Sequence, residues 1–134
     1  MPASPIFFMR VLSGAAMAAS VGLAIHMARP WGDNYAFQHA SDYVALGLFL
    51  LWAISPLAAL AWAARWFRQP RIASWVYAIG AVAIALFGLY TYVDAALIHL
   101  DPQGGLVFLF MPMVQWVAAL VLAAVCALLL RVLR

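Results

Sequence analysis

Four long apolar runs, separated by short polar segments, constrain what this chain can fold into. They cover residues 6–28, 43–64, 74–100 and 106–130 of the 134 residues. A helix needs about 20 consecutive apolar residues to cross the hydrocarbon core of a bilayer, and every run reaches that length. Because 69% of the residues are hydrophobic and 8% are charged, the chain lacks the polar residues to coat a soluble domain of this size. We therefore predict a single-domain all-α membrane protein, an antiparallel four-helix transmembrane bundle.

The placement of arginine predicts how this bundle is oriented. All seven basic residues are arginines. One lies inside the first span and one follows it, whereas the others are Arg65, Arg68, Arg71, Arg131 and Arg134. Basic residues favour the cytoplasmic side of a membrane. We therefore expect both termini and the 65–71 connector in the cytoplasm, and loops 29–42 and 101–105 on the non-cytoplasmic side.

The third span, residues 74–100, is longer than a membrane requires. At 1.5 Å per residue it measures roughly 39 Å, against a hydrocarbon core of about 30 Å. Either the helix tilts or its last turns, from Asp94 onward, stand clear of the lipid. Ser74 is expected to be the N-cap of this helix, and Ser41 or Asp42 is expected to cap the second.

Small residues recur every four positions on two spans. The ridges are Gly14, Ala18 and Gly22 on the first span, and Ala119, Ala123 and Ala127 on the fourth. Residues at this spacing stack on one face of a helix and let a neighbouring backbone come close. For the first span we expect the ridge to pack inside the bundle, with a dimer seam or a groove for a partner as the alternative.

Acidic and histidine side chains concentrate at the predicted non-cytoplasmic face. The candidate cluster contains Arg29, Asp33, His39, Asp42, Asp94, His99 and Asp101. The simplest interpretation is that the membrane core excludes such groups, and together they form a candidate surface for partner binding. A metal site at His39–Asp42 and His99–Asp101 is an alternative, as is a haem held by His26 and His99. We expect neither a metal nor another cofactor.

Few polar residues lie within the spans. Gln115 follows Pro112 by three positions and shares its helix face. Pro112 leaves the carbonyl of Phe108 without its usual donor, so we expect Gln115 to bond to a backbone group or a neighbouring helix. Ser55-Pro56 predicts a kink in the second helix. Asp94 is the acid that could enter the membrane, where a proton or ion relay is the alternative role.

The chain lacks residues that several classes of small membrane protein need. A four-helix multidrug exporter needs an acid deep in its first helix, and this span contains none. A thiol–quinone redox protein needs paired cysteines, but Cys126 is single. A membrane acyl or glutathione transferase usually has arginine together with glutamate or asparagine within its helices, and glutamate is absent from this chain. A cleaved signal peptide is not expected, because Arg10 interrupts a run that is long for one.

The sequence therefore predicts a non-catalytic protein of the bacterial inner membrane that binds a partner, as an accessory subunit or an immunity-type protein. The stretch 94–116 resembles segments of small bacterial inner-membrane proteins, a resemblance that implies no function. The expected partners are the lipid bilayer and another membrane protein or a second copy, and no nucleic acid. A small oligomeric channel or transporter, using Ser55-Pro56, Pro112, Gln115 and Asp94, is the alternative. A metal- or haem-binding redox protein is a weaker one.

Overall fold

The computed structural model describes residues 4–32, 37–69, 71–99 and 104–133, and their regular secondary structure is entirely helical. The four long helices are α1 (Pro5–Ala28), α2 (Ala40–Ala63), α3 (Arg71–Val93) and α4 (Val107–Val132). Shorter helical turns adjoin three of them: a 3₁₀ turn at Ala64–Phe67, a π-helical turn at Asp94–Ile98 and a 3₁₀ turn at Gly104–Leu106. All four long helices are long and apolar enough to cross a membrane. The prediction of four apolar membrane-spanning helices is confirmed to that extent.

Local capping explains where the first two helices begin. The Ser4 side chain accepts a hydrogen bond from the backbone N–H of Phe7 at 3.2 Å, with proline in the first turn of α1. At the start of α2, the Asp42 carboxylate accepts the backbone N–H of His39 at 2.8 Å. The expected cap of the third helix is wrong. α3 already begins at Arg71, so Ser74 lies inside its first turn and is buried.

Each long helix packs mainly against two others. α1 contacts α2 and α3, and α4 contacts the same two helices. The larger core cluster is centred on Met9, Leu57 and Tyr77. A second cluster joins Tyr92 and Phe108, whose rings stack with centroids 4.3 Å apart.

The small-residue ridge of α1 faces away from the bundle, contrary to the expectation that it packs inside. The buried stripe of α1 consists of Ile6, Met9, Ser13, Ala16, Ser20 and Ala24. Ala18 and Gly22 are exposed, and a Cβ built on Gly14 or Gly22 would meet no atom within 4 Å. The ridge therefore lies on an outer surface. The α4 ridge is divided, since Ala119 is buried and Ala127 is exposed.

Two glycines of α3 let α4 approach closely. A Cβ on Gly80 would overlap the side chain of Leu122, and one on Gly88 would overlap the amide of Gln115. The contact between α3 and α4 therefore depends on two glycines that are eight residues apart and do not form a four-residue ridge.

Candidate functional site

The π-helical turn at the end of α3 brings Asp94 and His99 together. The backbone N–H of His99 donates to the carbonyl of Asp94 at 2.7 Å, which closes a turn one residue wider than an α-helical turn. Residues five apart therefore share a face, and Nδ1 of His99 lies 2.8 Å from Oδ1 of Asp94. The histidine side chain is 77% exposed and the carboxylate 34% exposed. An exposed pair of this kind contributes little to stability.

The second histidine–carboxylate pair lies at the start of α2. Nδ1 of His39 is 3.8 Å from Oδ2 of Asp42. The same oxygen accepts the backbone N–H groups of Gln38 and His39. The N-cap of α2 is therefore His39, and not Ser41 or Asp42 as expected. Asp42 lies in the first turn and binds the backbone of the cap, and the imidazole of His39 lies exposed beside it.

Arg29 lies at the end of α1, next to the π-helical turn. It has left-handed backbone geometry with φ of 45°, which ends α1 immediately before Pro30. His26 and Arg29 line a cavity of about 390 Å³ together with Ala96 and Leu97. The end of α1 and the π-helical turn after α3 thus meet here, and the polar lining residues, His26 and Arg29, come from the α1 side.

The structure brings together part of the predicted polar cluster. His39 pairs with Asp42, and His99 pairs with Asp94, each within its own segment. Asp33 and Asp101 lie outside the described residues. Within the described ranges, no group of three or more histidine, cysteine, aspartate or glutamate side chains is arranged to hold a metal ion.

Gln115 is buried between α4 and α3. Its Nε2 donates to the carbonyl of Ile84 at 3.3 Å, and Gly88 provides the space for its side chain. Its Oε1 is buried and has no hydrogen-bond partner among the described residues. The expectation that Gln115 bonds a neighbouring helix is thus confirmed.

A hydrogen-bonded chain of side chains connects α2 to α4 around Pro56. Proline has no N–H, so the carbonyl of Trp52 loses its usual helical donor. The hydroxyl of Ser55 donates to this carbonyl at 2.8 Å and accepts the indole N–H of Trp116 at 3.0 Å. The indole of Trp52 donates in turn to the carbonyl of Leu109 at 3.0 Å. α2 continues through Pro56, and the carbonyl that the proline leaves without a donor is bonded by Ser55.

Sequence reasoning missed these tryptophans, because tryptophan in an apolar run is usually read as an interfacial anchor. It also missed two side chains that connect α2 to its neighbours. Nε of Arg10 donates to the carbonyl of Ala61 at 3.1 Å, and the hydroxyl of Tyr77 donates to that of Leu60 at 2.7 Å. The available signal was a charged and a phenolic group inside apolar runs, where each needs a partner.

Four helices able to cross a membrane, with hydrogen bonds between their polar side chains and backbone carbonyls, define the class of multi-pass helical membrane proteins. No protein-family model, curated protein sequence or solved structure matches this chain. A function must therefore be inferred from its own residues.

Proposed function

We propose that the chain forms an antiparallel four-helix bundle in the bacterial inner membrane, with both termini in the cytoplasm. Contacts between helix ends support the arrangement. Arg10, early in α1, bonds Ala61, late in α2. Tyr92, late in α3, stacks on Phe108, early in α4. The excess of arginine in the 65–71 connector and after α4 supports the orientation.

Within this bundle, we propose that the protein is non-catalytic and binds the transmembrane helix of a partner protein, as an accessory subunit or an immunity-type protein. The outward small-residue face of α1 is the observation that carries this proposal. Gly14 and Gly22 have open space above them, and Ala18 between them is exposed. In lipid, helices associate through close backbone packing and not through a hydrophobic driving force. A face of this kind is therefore suited to another helix.

The polar groups at the ends of α1 and α3 and at the start of α2 offer a second contact region. His39 and His99 are both exposed, each beside a carboxylate. We place these groups at the non-cytoplasmic ends of the spans, where the loops of a partner would be accessible. We assign them a role in recognition and the face of α1 the main role in affinity.

Photo-crosslinking in the native membrane tests this proposal. A photoreactive side chain at Ala18 is expected to give one adduct with a different membrane protein, and Gly22→Leu is expected to abolish it. Gly47 is the matched control, because this α2 glycine also has nothing within 4 Å of a built Cβ. A photoreactive group there should give no such adduct, and Gly47→Leu should leave the Ala18 adduct unchanged.

Two results would contradict the proposal. An adduct with a second copy of this chain would mean self-association, and equal adducts from positions 18 and 47 would mean unspecific contact with neighbouring proteins. The channel alternative has less support, because the side chains of Ser55 and Gln115 already bond within the bundle. Flux through liposomes that is lost in Asp94→Asn would nevertheless favour it.

A further inference from the structure

The bundle has a basic cavity at the end opposite the histidine–carboxylate pairs. It has a volume of about 320 Å³ and lies between the first turns of α1 and α3 and the connector that precedes α3. Its lining residues are Ser4, Ile6, Phe7, Arg10, Arg68 and Ser74. The polar groups in this set are two guanidinium groups and two hydroxyls.

Within the described ranges, neither arginine of this cavity has a carboxylate partner. The ion pairs among the described residues are the two histidine–aspartate pairs. Arg10 is half-buried, and its Nε bond to Ala61 leaves the terminal N–H groups of its guanidinium available. A partly buried cation without a counterion is costly, and an anion in the cavity would offset that cost.

Ser74 independently indicates a ligand. It is 4% exposed and lines the cavity, and its hydroxyl has no hydrogen-bond partner among the described residues. The oxygen itself is not fully enclosed, so it opens to the cavity and is free to bond a ligand there. The N-termini of α1 and α3 add the positive ends of two long helix dipoles to the same cavity. The guanidinium groups, the Ser74 hydroxyl and the two helix N-termini all favour an oxyanion in the cavity.

We propose that this cavity binds the phosphate of an anionic lipid headgroup. Two guanidinium groups and a hydroxyl suit a phosphate, which accepts several charge-assisted hydrogen bonds. The neighbouring surface indicates that the cavity lies at the depth of the lipid headgroups. There, Cζ of Arg65 lies 3.8 and 4.8 Å from the ring centroids of Trp62 and Trp66. Aromatic residues with arginine are typical of the membrane interface.

An apolar groove beside the cavity favours a lipid over a soluble phosphate compound. It has a volume of about 520 Å³, and its lining begins at Pro5 and Trp75 and extends along α3 to Leu86. Pro5 and Trp75 directly follow Ser4 and Ser74 of the basic cavity in the chain. Eleven residues of helix correspond to about 16 Å, so an acyl chain could follow the groove while the phosphate occupies the cavity.

Lipid retention by the purified full chain tests the proposal. The protein is exchanged into detergent with equal phosphatidylglycerol and phosphatidylcholine, and bound lipid is measured by native mass spectrometry. Preferential retention of phosphatidylglycerol is expected. Arg68→Gln should weaken it about tenfold, as the loss of a charge-assisted hydrogen bond implies. The side chain of Arg68 is exposed and makes no bond in the described structure, so this variant should fold.

Arg65→Gln is the matched control, since it removes the same charge at the same end of the bundle but does not line the cavity. It should retain phosphatidylglycerol within about twofold of the unaltered chain. Equal losses in Arg65→Gln and Arg68→Gln would overturn the proposal in favour of diffuse attraction, as would equal retention of the two lipids. Ser74→Ala keeps both charges and should also weaken retention.

A competition arm distinguishes the two sources of phosphate. Inorganic phosphate and glycerol phosphate at millimolar concentration are not expected to displace the retained lipid, because neither fills the apolar groove. Displacement by either compound would overturn the lipid assignment and indicate a soluble phosphate ligand. The outcome does not depend on the partner helix proposed for α1, because Gly22→Leu should leave lipid retention unchanged.

Discussion

At the scale of single residues, the decisive property is how much room each position leaves for a neighbouring helix. Gly88 leaves just enough for the amide of Gln115, and Gly80 does the same for Leu122. Gly14, in contrast, has no atom within 4 Å of a built Cβ. The same residue type therefore has opposite roles in α3 and α1, a close contact in one and an open surface in the other.

Gly88→Ala is expected to destabilise the bundle, because its methyl group would overlap the buried amide of Gln115. The free energy of unfolding should fall by about 1–3 kcal/mol, the usual cost of overpacking. Titration with a denaturing detergent in mixed micelles, followed by circular dichroism, measures it. Gly14→Ala is the control and should be neutral or up to about 1 kcal/mol more stable, since alanine favours helix. Equal destabilisation of both variants would contradict this account.

At the scale of helices, two departures from regular α-geometry have local compensation. Pro56 removes a backbone donor, and Ser55 supplies a replacement at the carbonyl of Trp52. The π-helical turn places Asp94 against His99, which a regular helix would hold on different faces. The Ser55 hydroxyl also connects two helices, since it accepts a hydrogen bond from the indole of Trp116. Removing either partner should therefore weaken the contact between α2 and α4.

A double-mutant cycle with Ser55→Ala and Trp116→Phe is expected to show coupling of about 0.6 kcal/mol, and up to about 1.7, as for other interhelical hydrogen bonds in membranes. The same unfolding titration supplies the four free energies. Ser20→Ala combined with Trp116→Phe is the reference cycle, since the Ser20 hydroxyl bonds the carbonyl of Ala16 within α1. That cycle should show no coupling. Absence of coupling between Ser55 and Trp116 would mean that their bond contributes nothing to helix association.

At the scale of the whole molecule, charge is divided between the two ends. Arg10 and Arg68 line one end, and the described carboxylates, Asp42 and Asp94, belong to the other. This division supports a single orientation in the membrane. Among the described residues no carboxylate lies beside Arg10 or Arg68, which is why an anionic lipid is proposed at that end.

Cysteine labelling tests the orientation directly. Gln38→Cys in the loop before α2 should react with a membrane-impermeant maleimide in intact cells. Gln69→Cys in the connector before α3 should react only after the inner membrane is permeabilised. Both positions are exposed, and the native Cys126 is buried and should remain unlabelled. The reverse pattern would invert the proposed topology, and labelling of both from outside would indicate mixed insertion.

The sequence alone was sufficient for the number and approximate limits of the helices. The length of an apolar run can be counted along the sequence, and every helix that crosses a membrane needs a run of sufficient length. The predicted spans therefore differ from α1 and α2 by only a few residues, and the extra length of the third span coincides with the turn that begins at Asp94. The sequence also predicted that Gln115 bonds a backbone group or a neighbouring helix, because a buried amide in an apolar run needs a hydrogen-bond partner.

Only the tertiary structure decided which face of each helix points inward. In a soluble protein the polar face marks the outside, but here the outer surface is as apolar as the core, with Phe7 and Phe8 61% and 63% exposed. Four-residue spacing thus showed that Gly14, Ala18 and Gly22 share a face without showing that this face is an outer one. The basic cavity was hidden for the same reason, since Arg10 and Ser74 meet only when α1 packs against α3.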